Sequence, residues 1–134
     1  MSKRITAVLT IAGSDSCGGA GLQADIKTIS ALGLYAASAI TAVTAQNTCG
    51  VRGIEAVAPA MLQAQIEAVM EDFAVSAIKI GMIYNSANAL GIKDSLSKCG
   101  YRGPLVLDPV LVATSGDALS GKDLVATMKN ELFP

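Results

Sequence analysis

The side chains in this sequence that could do chemistry gather in a few short stretches. Residues 11–25 read IAGSDSCGGAGLQAD, a glycine-loaded loop leading from an apolar run into an apolar-faced helix and closed by Asp25. Loops of this kind commonly hold a phosphate or small ligand against backbone N–H groups. Two familiar phosphate cradles do not fit. A GxxxxGK[ST] loop needs a lysine after its glycines, and none follows here; a GxGxxG fingerprint does not match the spacing of Gly18-Gly19-Ala20-Gly21. The second mismatch also sets aside a nucleotide-binding oxidoreductase. Two readings of the loop stay open: a ligand-holding wall, or a tight strand-to-helix turn in which glycine only supplies positive φ.

Other candidates stand at the ends of apolar runs. Gln46 offers a donor and an acceptor to the edge of a heterocycle, or else braces its own loop. Asp25, one turn into a helix beside Leu22 and Ile26, is either a surface carboxylate or a polar handle at the edge of an apolar face. Asp108, ending an apolar strand before Pro109, suits Mg²⁺ or phosphate-side electrostatics, or caps a turn. Cys17 has no histidine to activate it, since the chain contains none, and reads as a loop residue. Of the methionines, Met61, Met70 and Met128 read as core positions, and Met82, just past a strand end, as a ligand contact.

The elements that position these residues follow from periodicity. Short apolar runs at 5–11, 39–44, 77–80 and 105–107 read as strands. Helical stripes separate them: Leu22, Ile26 and Ile29, stopped at Gly33; Leu62, Ile66, Val69, Met70 and Phe73, opened at Pro59; Ala89, Ile92, Leu96 and Cys99, stopped at Gly100. Leu124, Met128 and Leu132 stripe a last helix, with Ser120 as its expected cap. Residues 48–55 read as a flap or short edge strands. Alternating strand and helix predicts an α/β fold, a mostly parallel sheet with helices on both faces. In such sheets ligands bind beyond the carboxyl ends of the strands. Gly13, Gln46, Met82, Asp108 and Val110 all follow strand ends, so one rim of the sheet collects the polar groups and glycines.

Composition narrows the function further. The chain has 134 residues, 51% hydrophobic and 16% charged, with a net charge of −1, and a mean hydropathy of +0.49. Soluble domains usually carry about 25% charged residues, so either most faces are buried or partner surface is missing. No basic block interleaved with aromatics suggests a nucleic-acid surface. Cys17, Cys49 and Cys99 form no CxxC pair, which favours free thiols in a reducing cytoplasm. Lys3-Arg4 before ITAVLTIAG has the look of a secretory leader, but a buried strand followed by a glycine loop accounts for it better. The alanine-rich stretch 36–45 is too short to span a bilayer.

Four blocks in order, LTIAGSDSCGGAGLQADIKT, ITAVTAQNTCGV, KIGMI and VLDPVLVATSGDAL, resemble the hydroxymethylpyrimidine/phosphomethylpyrimidine kinases of thiamine biosynthesis, members of the ribokinase-like superfamily. The resemblance runs from Ile5 to the end. It implies an ATP- and Mg²⁺-dependent enzyme that phosphorylates 4-amino-5-hydroxymethyl-2-methylpyrimidine and then its monophosphate. Carried over by position, Gln46 would bond the aminopyrimidine edge, and Gly13, Asp25, Met82 and Val110 would line the same pocket. The loop at residues 16–21, with Gly19 in it, would close over the substrate as a flexible wall. Asp108 would lie on the Mg²⁺ and triphosphate side, with Ser115 and Gly116 nearby.

Relative to that family, residues 1–134 resemble the N-terminal part of one kinase domain. The ATP-contacting segment, the GTGC-like anion hole and the catalytic residue are expected beyond Pro134, so the fragment alone is expected to be inactive, poorly soluble or held by a partner chain. The resemblance further implies a cytoplasmic homodimer at full length. Two rival readings are a pyridoxine or pyridoxal kinase and a non-catalytic pyrimidine-binding module.

Overall fold

The computed structural model describes residues 4–113, 115–120 and 123–132; Lys3, Phe133 and Pro134 lie outside them. Its framework is set by β1 (Thr6–Asp15), which is buried on both sides. Ala7, Leu9 and Ile11 point to one face, Thr10 and Ala12 to the other, and none is more than 1% exposed. A strand buried on both faces must be central in its sheet and covered by helices above and below.

The remaining elements supply that cover: α1 (Gly21–Ala31), β2 (Tyr35–Asn47), β3 (Gly50–Ala56), α2 (Pro59–Asp72), β4 (Ala74–Ile80), α3 (Ser86–Lys98), β5 (Leu105–Leu107) and α4 (Leu124–Glu131). The five strands lie in the order β3-β2-β1-β4-β5. All pair in parallel except β3, which is antiparallel to β2 at the edge. On one face, Leu62 and Ile66 of α2 and Ile92 and Leu96 of α3 pack against Leu9, Ile11, Ile78 and Ile80, with Leu124 and Met128 of α4 joining the same core. Each such fully buried Leu or Ile contributes about 1.5–3 kcal/mol. α1 covers the opposite face, burying Leu22 and Ile29.

The mostly parallel, doubly covered sheet is the one expected from the sequence, with local differences. β1 continues past Ile11, because after a bulge Ser14 and Asp15 still pair with Val43 and Thr44. β2 begins at Tyr35, and of the two readings of residues 48–55 the edge strand is the one found, as β3. Pro59 takes the first turn of α2 as anticipated, and Gly33 follows α1 at a φ of 76°. α3 opens earlier than its apolar stripe, because Asn85 caps it by accepting from the Asn88 amide at 2.8 Å. α4 starts after Asp123 with no side-chain cap, so Ser120 does not have the capping role. Met128 is in the core, but Met61 is 59% exposed: it sits on the solvent side of α2's first turn.

One edge is sealed by a side chain. β3 pairs with residues 42–47 of β2, and just before that stretch Gln65 of α2 takes the place of a strand. Its Oε1 accepts from the Ile40 amide at 2.9 Å and its Nε2 donates to the Ile40 carbonyl at 3.3 Å.

From β1 the chain winds outward to β2 through α1, then returns to the other side of β1 as β4. The carboxyl ends of β1 and β4 therefore flank a topological switch point, where ligands bind in open sheets of this kind.

Candidate functional site

A cavity of about 550 Å³ opens at that switch point. Gly13, Gly19, Asp25, Gln46, Met82, Asp108 and Val110, the seven residues singled out from the sequence, all line it.

The glycine loop forms one wall, and it is braced by a residue that the pattern of glycines hides. Asp15, 3% exposed, turns its carboxylate back into the loop and accepts from the amides of Cys17, Gly19 and Ala20 at 2.9, 3.0 and 2.8 Å. The Cys17 thiol lies against the same carboxylate at 3.5 Å. The amides that would cradle an external anion are thus filled from within. Burial pushes the Asp15 carboxyl upward, but the amide bonds from Cys17, Ala20 and Gly19 and the thiol contact together outweigh it and hold the carboxyl below its ordinary value. Gln23 adds a second brace, accepting from the Asp15 amide and donating to the Ser14 hydroxyl, each at 2.8 Å. Gly21, with φ of 56°, begins α1 so close to the Gly13 carbonyl that a Cβ would overlap its oxygen.

β2 supplies the second wall. Ser16 and Gln46 are joined twice: the Ser16 hydroxyl donates to the Gln46 carbonyl at 2.6 Å and accepts from the Gln46 amide at 2.8 Å. Thr44 donates to the Ser14 carbonyl at 2.9 Å and approaches Gln46 Oε1 at 3.3 Å. Loop bracing therefore falls to the Gln46 backbone, and its side-chain Nε2 has no partner among the described residues.

Met82 forms the floor. Its methyl occupies the space where a Gly13 Cβ would stand, and its carbonyl accepts from the buried Thr41 hydroxyl at 2.6 Å. Asn88 Nδ2 donates to the Thr41 carbonyl at 3.0 Å, so buried polar groups fix the turn after β4. Asp25 is neither loose on the surface nor bound to backbone: Thr10 donates to it at 2.6 Å and Lys79 pairs with it at 2.9 Å. Lys79 and Thr10 were not anticipated as site residues; a lysine inside the apolar run AIKI was the available signal.

The fourth side follows β5. Asp108 is exposed, and its carboxylate bonds to none of the described residues. Val110 sits beside it, and the chain folds back through a bridge between Val112 and Ala118. Asp117 ties this segment to β3 by accepting from the Val51 amide at 3.1 Å. The Ser115 hydroxyl bond, followed by the Val51 amide bond, holds the Asp117 carboxyl below its ordinary value.

The family model for phosphomethylpyrimidine kinase matches residues 15–134. The chain belongs to the phosphomethylpyrimidine kinase family. Among its relatives, it is 55% identical over 126 residues to a hydroxymethylpyrimidine/phosphomethylpyrimidine kinase of Rhizobium meliloti, a match covering 94% of this chain and 47% of that protein. A Bacillus subtilis protein of the same name is 46% identical, with 94% and 46% covered. In structure, the chain is similar to the phosphomethylpyrimidine kinase of Clostridium difficile, with a TM-score of 0.85, 46% identity, and coverage of 96% of this chain and 55% of that one. Pyridoxal kinase from Staphylococcus aureus in complex with pyridoxal is similar at a TM-score of 0.80 and 28% identity, with 97% and 46% covered. The chain spans between about a quarter and about half the length of the curated relatives it matches. These neighbours give the sheet its ribokinase-like class.

Proposed function

We propose that residues 1–134 form the substrate-side part of a single kinase domain that phosphorylates 4-amino-5-hydroxymethyl-2-methylpyrimidine, and then its monophosphate, at the expense of ATP. The observation that carries this reading is the cavity itself: Gln46, an amide whose donor has no partner among the described residues, faces a space bounded by Met82, Val110 and the braced glycine loop. Gln46 Nε2 donates to a ring nitrogen, and Oε1 accepts from the exocyclic amine. Met82 and Val110 give the ring apolar walls, and the loop keeps water from the hydroxymethyl group.

In the reaction, the hydroxymethyl oxygen attacks the γ-phosphorus of ATP, the bond to the β-phosphate bridging oxygen breaks, ADP departs, and the hydroxyl proton passes to a base. Asp15 and Asp25 are committed to partners within the chain, which leaves neither as that base. On the resemblance, and with the chain spanning 47% of the Rhizobium meliloti kinase it matches, we assign the base, the anion hole and the ATP contacts to the remainder of the kinase domain. Mg²⁺, when bound, neutralises charge on the triphosphate. The donor set fits a metal held mostly by phosphate oxygens and water: Asp108 is a single unpaired carboxylate, and no group of three or more acidic, Cys or His side chains is assembled among the described residues. The cytoplasmic homodimer implied by the resemblance is part of this proposal; among the described residues no helix is long and apolar enough to cross a membrane.

The pyridoxal kinase reading draws on the similar fold of the Staphylococcus aureus enzyme, but at roughly half the identity of the pyrimidine kinases. The test is ADP release by the full-length protein with each alcohol. The proposal expects kcat/KM for the pyrimidine to exceed that for pyridoxal; the reverse order, or release with neither, overturns it.

A further inference from the structure

Lys79 has no part in the account above, although it is the cation among the described residues that line the cavity. It stands in β4 between the buried Ile78 and Ile80, and the alternation of the strand turns it away from that core toward α1. Its Nζ lies 3.0 and 2.9 Å from the two oxygens of Asp25, and the Thr10 hydroxyl donates to one of them. The side chains of Lys79 and Asp25 are only 28% and 18% exposed. Gly81 makes the room: a Cβ there would stand 2.9 Å from Nζ and 3.1 Å from the Ala12 methyl.

Charge is unevenly answered around the cavity. Asp15 is satisfied by backbone amides, Asp108 by nothing described, and Asp25 by Lys79. Stability alone is a weak reason for a sheltered ion pair, since an apolar pair of similar volume often serves as well. A neutral pyrimidine alcohol is indifferent to the balance. A phosphate monoester is not, because it carries about −1.5 to −2 charges at neutral pH into a space already lined by carboxylates.

We propose that Lys79 is the residue that lets this cavity accept a phosphate-bearing substrate: by cancelling the charge of Asp25 and holding its carboxylate against the sheet, it removes repulsion that the monophosphate would feel and the alcohol would not. This rests on the two-step kinase reading. It makes Lys79 a specificity residue acting through Asp25.

The test compares kcat/KM for the alcohol and for the monophosphate in the full-length protein, wild type against Lys79→Met, Lys79→Arg and the double variant Asp25→Asn/Lys79→Met. Lys79→Met should lose at least about tenfold more on the monophosphate than on the alcohol, through KM. Lys79→Arg should keep the wild-type ratio of the two substrates. The double variant, with neither charge, should return that ratio to within about threefold of wild type, and it decides the matter if Lys79→Met fails to fold. Equal losses on both substrates, or a double variant as skewed as Lys79→Met is expected to be, overturns this inference while leaving the two-step kinase reading in place; a wild type that uses the alcohol alone overturns the second step of that reading and this inference with it. A wild type that uses neither substrate overturns the kinase reading and this inference with it.

Discussion

Around the cavity rim, the residues contributed by β1, α1 and β2 hold one another at close range, whereas those that follow β5 stand largely apart. On the first side, Asp15, Gln23, Thr44 and Gln46 brace residues 14–20 through hydrogen bonds of 2.6–3.0 Å. On the second, β5 has only three residues, Leu105 and Val106 are 40% and 63% exposed, and Asp108 has no side-chain partner among the described residues. The contrast is instructive because both sides belong to one site. A wall that recognises a small, rigid ring gains from being fixed in advance. A side that meets ATP and metal, on the proposal above, takes its order from those groups and from more of the domain.

The largest expected effect tests that contrast directly. Purified residues 1–134 should bind the pyrimidine alcohol by calorimetry yet release no ADP from ATP in its presence. Turnover by this chain would show the second side to be complete as it stands. Next in size is Gly21→Ala. It places a side chain in the left-handed region, where an L-residue is strained, and drives a methyl into the Gly13 carbonyl. A loss of about 2–4 kcal/mol in a urea titration is expected, with loss of pyrimidine binding.

Asp15→Asn should cost about 1–3 kcal/mol, because amides that now bond a carboxylate keep at best a poorer acceptor. The same carboxylate sets an acid dependence. Its carboxyl is held below the ordinary value, so its contribution is complete above the ordinary carboxylate pKa of about 3.9. That contribution is lost as pH falls through the lower folded value. Urea midpoints recorded down to about pH 2 should show this loss in wild type and not in Asp15→Asn. The smallest effect belongs to the open side: Val106→Ser in the 134-residue chain should change stability by less than about 0.5 kcal/mol while raising the concentration at which it precipitates. A marked loss of stability would show that Val106 already belongs to a packed surface.

The sequence disclosed the architecture and the gathering of site residues for a simple reason. Apolar periodicity, Pro59 and Gly33 act locally, and strand ends in a parallel sheet share one rim. The loop's inner workings were hidden. Asp15 reads as one more polar residue in a glycine-rich turn, and only the fold shows that its carboxylate occupies the amides around it. The partner of Asp25 lies 54 positions away on another strand, a separation that no periodicity encodes. Gln46 was legible as a polar handle but not as a residue whose backbone and side chain divide two tasks. Ser120 and Met61 show the opposite error, since capping and burial depend on how a helix end meets its neighbours.

Gln65 carries a last consequence, for how copies of this chain behave toward one another. The exposed edge of a strand is a template on which a second chain can lengthen the sheet. By occupying both backbone groups of Ile40, one amide side chain ends the ladder where β3 no longer reaches. Crowded molecules then find no invitation to add a strand at that position. The stopper arrives only with α2, so its shielding depends on the helix being docked, and a chain from which α2 had come away would show this edge.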